Sequence, residues 1–247
     1  MHPEPVTPTT PRPVRRTVFT QSWLDLAFVH WALDPSVVKP MLPAGVHPDV
    51  LDGTTQVGLV AFRMRGIGIG PSPGIPWFGS FAETNVRLYT VDEAGHRGVY
   101  FLSLDASRLV PVLVARALGV PYLWSRMSVT DTGDRHAYDC RRRWPGPRGL
   151  TSRLVVRAGA PVTEPTELER FVTARWGLHL GGRTGTAYWP NEHPEWPLHR
   201  ASLEQVDVEL LVAAGLPRPE GPPSSVLWSP GVPVRFGPKQ AVRPARR

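Results

Sequence analysis

Apolar positions along this chain recur mostly with the two-residue period of extended structure, and helical spacing shows only in short stretches. The first ordered segment, "RTVFTQSWLDLAFVHWAL", is aromatic and β-branched and ends at Asp34-Pro35, where "PSVVKPML" predicts a short helix with Asp34 as its N-cap. Turn signals fill "LPAGVHPDVLDG", "TTQVGLVAFRMRGI" predicts a strand, and "GIGPSPGIPWFG" reads as a loop. "FAETNVRLYT" and "GVYFLSLDAS" flank the turn "DEAGH" and predict a hairpin. "SRLVPVLVARALG" has helical spacing, stops at Gly119 and precedes Pro121 and a strand from Tyr122. Strands follow at "HAYDCRRRW" and "TSRLVVRAGA", then an amphipathic helix "TELERFVTARWG" with Leu168, Phe171, Val172 and Trp176 on one side. "RTGTAYWP", "ASLEQVDV", a short helix "ELLVAAGL" and a last strand "SSVLWSP" complete the pattern. Many short strands with a few inserted helices predict an α+β domain built mainly on antiparallel β-structure.

The strand at 81–90 has an unusual face. Glu83, Asn85, Arg87 and Tyr89 point one way, and Thr84, Val86, Leu88 and Thr90 the other. An acid, an amide, a guanidinium and a phenol in one row fit either a solvated sheet face or the wall of a polar pocket. Glu83 and Arg87 lie roughly 13 Å apart along a strand, too far for a direct ion pair, so each needs a partner from elsewhere. The available cations are Arg63 and Arg65 on the preceding strand and Arg116 on the helix after the hairpin; Asp105 is expected to cap that helix.

Composition narrows the function classes. The 247 residues suffice for one large domain or two small ones, and 41% hydrophobic residues with 9 Trp allow a real core. Residues 1–16 are Pro-, Thr- and Arg-rich, which predicts a disordered tail without the apolar stretch of a secretory signal; 17–240 form one domain and 241–247 a basic tail. The segment 109–124 is cut by Pro111, Arg116 and Pro121, so no membrane span and no membrane partner are expected. The single cysteine, Cys140, excludes a disulfide framework or a Cys-rich zinc site and points to a reducing cytoplasm. The net charge of +7 raises nucleic acid as a partner, but only Lys39 and Lys239 are lysines and several Arg fall in the tails. The internal cluster "CRRRWPGPR" at 140–148 reads better as an exposed turn than as a nucleic-acid patch, because no recognition motif accompanies it.

Familiar motifs fail on their surroundings. "GPSPG" at 70–74 matches G-x-S-x-G, but prolines flank Ser72 and no helix can follow. "GIGIG" at 66–70 lacks the spacing of a dinucleotide fingerprint, and no cofactor is called for. "NEHPEWPLH" groups Glu192, His193, Glu195 and His199, yet its two prolines prevent a helical metal register and leave a polar surface loop. His30 and Trp31 read as core or pocket-wall residues.

"WLDLAFVHWALDPSVVKPMLPAGVHPDVLDG", "VGLVAFRMRGI", "FAETNVRLYTVDEAGHRGVYFLSLDAS" and "VARALGVPYLWSRMSV" together resemble the YqjF-like family, a bacterial domain of unknown function related in fold to acetoacetate decarboxylase. The resemblance covers about residues 20–240 and implies an antiparallel β-cone or barrel with a central cavity and flanking helices. It also implies that Glu83 corresponds to an inner-strand acid, and that 115–122 corresponds to a segment in which an Arg precedes a Pro-Lys whose lysine forms a Schiff base. Here Tyr122 follows Pro121, and neither Lys39 nor Lys239 lies near that segment in sequence. A phenol cannot form an imine, so Schiff-base decarboxylation is not expected.

These readings converge on a polar cavity for an anionic or carbonyl-containing small molecule. Arg87 or Arg116 would hold a carboxylate, Asn85, Tyr89 and Tyr122 would hydrogen-bond, and Glu83 would be the general acid or base of any reaction. A non-catalytic scaffold or sensor is the alternative, and Arg-mediated nucleic-acid binding a third. Homo-oligomer formation stays open.

Overall fold

The computed structural model describes residues 2–70, 79–182 and 185–242. The strands are β1 (Phe19–Leu33), β2 (Val46–Pro48), β3 (Thr55–Ile69), β4 (Phe81–Asp92), β5 (Arg97–Ala106), β6 (Tyr122–Thr132), β7 (Arg135–Trp144), β8 (Thr151–Pro161), β9 (Gly177–Gly182), β10 (Gly185–Glu192), β11 (His199–Val206), β12 (Ser225–Phe236) and β13 (Gln240–Ala241). The helices are α1 (Pro35–Val38), α2 (Leu109–Ala117), α3 (Glu167–Thr173) and α4 (Glu209–Ala213). Among the described residues the strands run in one sheet, in the order β13-β10-β9-β5-β6-β7-β8-β11-β12-β1-β3-β4-β2, with further pairings of β4 to β5 and β10 to β12.

Those two extra pairings close the sheet on itself twice. β12, β1, β3, β4 and β5 form a common wall; β9 and β10 complete one circuit, and β6, β7, β8 and β11 complete the other. Among the described residues only β5–β6 and β5–β9 are parallel. A parallel neighbour needs a crossover, and α2 supplies it between β5 and β6. The architecture is thus mainly antiparallel α+β.

Each circuit has its own core. Phe28, Phe62, Phe81, Tyr89, Leu104, Phe171, Leu178, Trp189 and Phe236 pack together on the β9–β10 side. Val29, Leu59, Val86, Leu88, Tyr138, Leu154, Val156 and Leu211 pack on the other. The common wall therefore has a core on both faces. Along β4, Phe81 and Tyr89 belong to the first core, while Val86 and Leu88 belong to the second. Burial of each such side chain contributes about 1.5–3 kcal/mol, which holds the wall in register. The β1 register shifts between Leu24 and Ala27, where Asp25 takes φ 51°, and Gly231 on β12, opposite Leu24, takes φ +118°. A Cβ at Gly231 would stand 2.0 Å from the Trp23 carbonyl oxygen, so no other residue fits there.

Most predicted elements form. Asp34 caps α1 by accepting from the Ser36 N–H, and Gly119 ends the α2 segment at φ +84°. α3 ends at Thr173 rather than running on to Gly177, and the short strand β9 occupies the residues beyond it.

Several expectations are corrected. Residues 2–16 do not trail as a disordered tail: Val14 is buried, Val6 packs on the first core, and the Glu4 carboxylate accepts from Arg12 and from the Arg97 backbone N–H. At the other end, Gln240–Ala241 pairs with β10, so the expected tail begins later; residues 243–247 lie outside the described residues. So does most of the "GIGPSPGIPWFG" loop, including Ser72. The "NEHPEWPLH" segment is not a polar surface loop, because His193, Trp196 and Leu198 are buried against other aromatic rings. Glu192 instead pairs with Arg235, and the His199 ring meets the Gly159 carbonyl.

Asp105 does not cap α2, whose N-cap is Arg108 with no side-chain capping bond. It lies fully buried and accepts two bonds from Arg142, of 2.9 and 2.6 Å, and one from Ser125 of 2.6 Å. The 140–148 turn is correspondingly only partly exposed: Arg141 and Arg143 face outward, but Arg142 is drawn in by that carboxylate. The Cys140 thiol beside them is buried, which pushes its pKa up to about 12.

Removing one partner of a buried bidentate pair strands the other charge. Arg142→Ala should therefore lower stability by about 3–5 kcal/mol. Arg157→Ala, which breaks the exposed pair with Asp134, should leave the denaturation midpoint close to wild type. Urea melts compare the two; equal midpoints would show that the Asp105–Arg142 contact does not hold the α2 end of the sheet.

Candidate functional site

The register of the common wall places the polar row of β4. Glu83 lies opposite Phe62 and Ala106, Asn85 opposite Val60 and Leu104, and Arg87 opposite Gly58 and Phe101. Tyr122 on β6 is level with Leu104, which puts it in the cross-strand row of Asn85. His30 on β1 lies across Gly58 from Arg87. A Cβ at Gly58 would come within 3.2 Å of both the His30 ring and the Arg87 stem, so glycine lets the two side chains lie over the sheet there.

Most of the row is buried, and Arg87 is half-buried. Glu83 and Asn85 are each 2% exposed and Tyr89 is fully buried, facing the first core. Glu83 Oε2 accepts a 2.6 Å bond from the Tyr122 hydroxyl, and Oε1 accepts a 3.3 Å bond from Asn85 Nδ2. No ion pair to Glu83 occurs among the described residues. Arg63 turns to Asp25 and Asp131, and Arg65 is exposed. Burial raises the Glu83 pKa to about 7, against the opposing pull of its Tyr122 and Asn85 bonds and of the Arg87 charge. The same burial, with the adjacent carboxyl, holds the Tyr122 phenol well above its ordinary range.

Further along the row the groups become aromatic and cationic. The Tyr89 hydroxyl and His30 Nε2 are 2.6 Å apart. Burial first, then the charges of Arg87 and Arg175, push the His30 pKa well down, so the ring is neutral at neutral pH. The Arg87 guanidinium lies 5.4 Å from the Phe28 ring centre and 5.5 Å from that of Tyr89. Arg175 covers Phe171 at 4.2 Å and Tyr89 at 5.1 Å, and it shares the Asp49 carboxylate with Arg97. Among the described residues, His30 Nδ1, Asn85 Oδ1, Arg87 Nε and Arg175 Nη2 are buried without a hydrogen-bond partner. Buried polar atoms are normally satisfied, so these four are exceptions.

The structure thus brings together five of the six site residues expected from sequence: Glu83, Asn85, Arg87, Tyr89 and Tyr122. Arg116 is the exception. It is exposed on α2, donates to the Tyr122 carbonyl at 2.9 Å and stacks on Trp144, so it supports the β6 start from outside. Lys239 also differs from expectation. Although distant in sequence, its Nζ donates to the Leu118 carbonyl at 2.7 Å; its side chain is exposed, while Lys39 is exposed on the turn after α1. Asp49, Arg97 and Arg175 were not foreseen, because two lie in turn-rich or helix-end sequence and the third begins a strand. Their only common signal is an isolated charge beside apolar residues.

Comparison with known proteins agrees with this architecture. A family model described as an uncharacterized conserved protein, DUF2071, matches residues 20–233. The protein YqjF of Bacillus subtilis (strain 168), itself uncharacterized, is 29% identical over 209 residues, covering 83% of this chain and 85% of its own. Among solved structures, an acetoacetate decarboxylase-like enzyme from Sphingomonas wittichii RW1 superimposes with a TM-score of 0.63 at 13% identity, over 94% of this chain and 95% of the other. Acetoacetate decarboxylase from Legionella pneumophila gives 0.59 at 14% identity, over 95% and 92%. The enduracididine biosynthesis enzyme MppR complexed with pyruvate gives 0.60 at 13% identity, over 96% and 93%. At these identities the likeness shows the fold.

The raised Glu83 pKa has a consequence for stability. Its unfolded carboxyl ionises near 4.5 and its folded one near 7. Over that window the unfolded state holds fewer protons, so stability falls as pH rises and levels off above about 7. At about 1.4 kcal/mol per unit, the loss is roughly 3 kcal/mol. Glu83→Gln keeps the shape and an acceptor for Tyr122 but cannot ionise. Denaturant melts from pH 5 to 8 should show the variant gaining on wild type by about that amount; a constant difference would mean that Glu83 is not held protonated.

Proposed function

From the premise that the chain belongs to the DUF2071 family, within the acetoacetate decarboxylase-like fold, we propose that the protein binds a small anionic or carbonyl-bearing molecule over the polar row of β4, with Glu83 as its proton-transfer group. The carrying observation is the 2.6 Å contact between Tyr122 and a buried carboxyl with no cation paired to it. A carboxyl with a pKa of about 7 can both give and take a proton near neutrality. Arg87, with no carboxylate partner among the described residues, is the group to hold a ligand carboxylate, and Asn85 and the Tyr89–His30 pair would orient the rest. Arg175, Arg97 and Arg87 put three guanidiniums on this side against the one paired carboxylate of Asp49, a balance that favours an anion. Pyruvate, bound by one structural neighbour, is an anion of this class.

The chemistry this arrangement suits is proton exchange or enolisation next to a carbonyl, without an imine. Amine catalysis needs a lysine beside the acid. Tyr122 fills that place, and Lys239 Nζ is exposed with its bond to Leu118 outside it. A binding protein of the same geometry, without turnover, is the second reading, favoured by the contact that already joins His30 to Tyr89.

Three measurements decide between them. Borohydride with pyruvate or acetoacetate should leave no adduct; an adduct on Lys239, lost in Lys239→Ala, would restore amine catalysis. In deuterated water, wild type should exchange the protons next to the carbonyl of a 2-oxo or 3-oxo acid, and Glu83→Gln should lose roughly 10²-fold or more in rate. Arg87→Ala should weaken ligand binding by roughly 10²-fold, and the Glu83 pH response should persist with its midpoint moved up, because the Arg87 charge holds that pKa down. Binding without exchange would favour the non-catalytic reading, and neither would remove the proposal.

A further inference from the structure

Outside both circuits, α2 turns apolar residues to solvent. Leu109, Val110, Leu113, Val114 and Leu118 are between 38% and 57% exposed, and only Val112 of the helix is buried. A helix on a protein surface ordinarily does the reverse. Five such residues in ten positions form a continuous stripe, which isolated exposed side chains do not.

Beside this stripe runs a groove of about 740 Å³, with Leu109 and Leu113 on one side. Arg126, Arg141, Arg143 and Arg148 line the rest with Trp124 and Trp144, and no carboxylate lines it among the described residues. The cations are set against one another. Arg126 and Arg141 are direct cross-strand partners on β6 and β7, a placement that costs stability unless an anion lies between them. Arg143 lies over Trp124 at 4.9 Å, and Arg116 over Trp144 at 5.3 Å. The one nearby acid, Asp105, is fully buried and already bound to Arg142.

We propose that this face docks on an anionic phospholipid bilayer. The α2 stripe would enter the headgroup–acyl boundary, while Arg126, Arg141, Arg143 and Arg148 hold lipid phosphates and the two Trp lie at the interface. Each feature rules against a simpler occupant. A nucleic acid would engage the guanidiniums and leave the apolar stripe wet. A second copy placed face to face would bring the same Arg clusters together. A zwitterionic membrane would leave the unneutralised Arg126–Arg141 pair without a reason. The surface is on the outside of α2, apart from the β4 row, so it does not depend on the ligand proposed for that row.

Vesicle flotation of the full chain tests the docking. Wild type should float with vesicles containing about 30% phosphatidylglycerol in phosphatidylcholine and not with phosphatidylcholine alone. Arg141→Gln and Arg143→Gln should each lower the partition coefficient roughly fivefold, and raised salt should lower it further. Val110→Asp combined with Val114→Asp should abolish flotation while the thermal transition stays near wild type, since both side chains are exposed. The proposal fails if wild type does not float with the anionic vesicles, or if the double Asp variant floats as well as wild type. It fails too if sedimentation shows a dimer that the double Asp variant dissociates, because a second copy would then own the face.

Discussion

The common wall has a core on each face. Because β12, β1, β3, β4 and β5 separate two closed circuits, β4 lies between the cores and most of its residues are buried. A strand that carries an acid, an amide, a guanidinium and a phenol on one face cannot then delegate their hydrogen bonds to water. Desolvation of an unpartnered polar group costs several kcal/mol, and of an isolated charge far more. Everything distinctive about the site follows from how this strand meets that demand.

It meets it in large part by neutrality. Glu83 is pushed toward its protonated form, His30 toward its neutral ring, and Tyr89 and Tyr122 are held as phenols, all with burial as the leading cause. Charge survives where it has a dispersed or paired setting: Arg87 over two rings, and Arg175 with Arg97 on Asp49. The result is an interior with excess positive charge and a carboxyl poised to ionise. An anionic ligand would relieve the first condition. By adding negative charge near Glu83 it would also raise the cost of ionising that carboxyl, so binding and protonation are coupled through distance alone.

Strands, hairpins and caps were legible because they rest on local rules. The period of "FAETNVRLYT", Asp34 before Pro35, and Gly119 before Pro121 each act within a few residues. The alternation of β4 also showed that Glu83, Asn85, Arg87 and Tyr89 share one face, but it could not say which side was wet. That depends on β9 and β10 closing a second circuit, through β5–β9 and β10–β12 contacts of two residue pairs each. Nothing in "GLHLGG" signals such a partner. Charges whose partners lie far along the chain were misplaced for the same reason. Asp105 reads as a cap until Arg142 is brought to it, and Glu4 looks solvated until Arg97 meets it. The resemblance drawn from the hairpin and the 115–122 segment supplied the closed architecture that periodicity alone could not.

Tyr122 shows how one position can change the chemistry of a site while keeping its geometry. The resemblance gives this place to an amine, which would attack a carbonyl carbon and hold the substrate covalently. A phenol at the same place cannot do that, yet it reaches the same carboxyl, at 2.6 Å from Glu83. A cation there would stabilise the carboxylate; a neutral phenol stabilises it far less, so burial prevails and the acid's pKa rises to about 7. On the proposed reading, the site would work without a covalent nucleophile and would rely on a carboxyl whose proton can move near neutral pH.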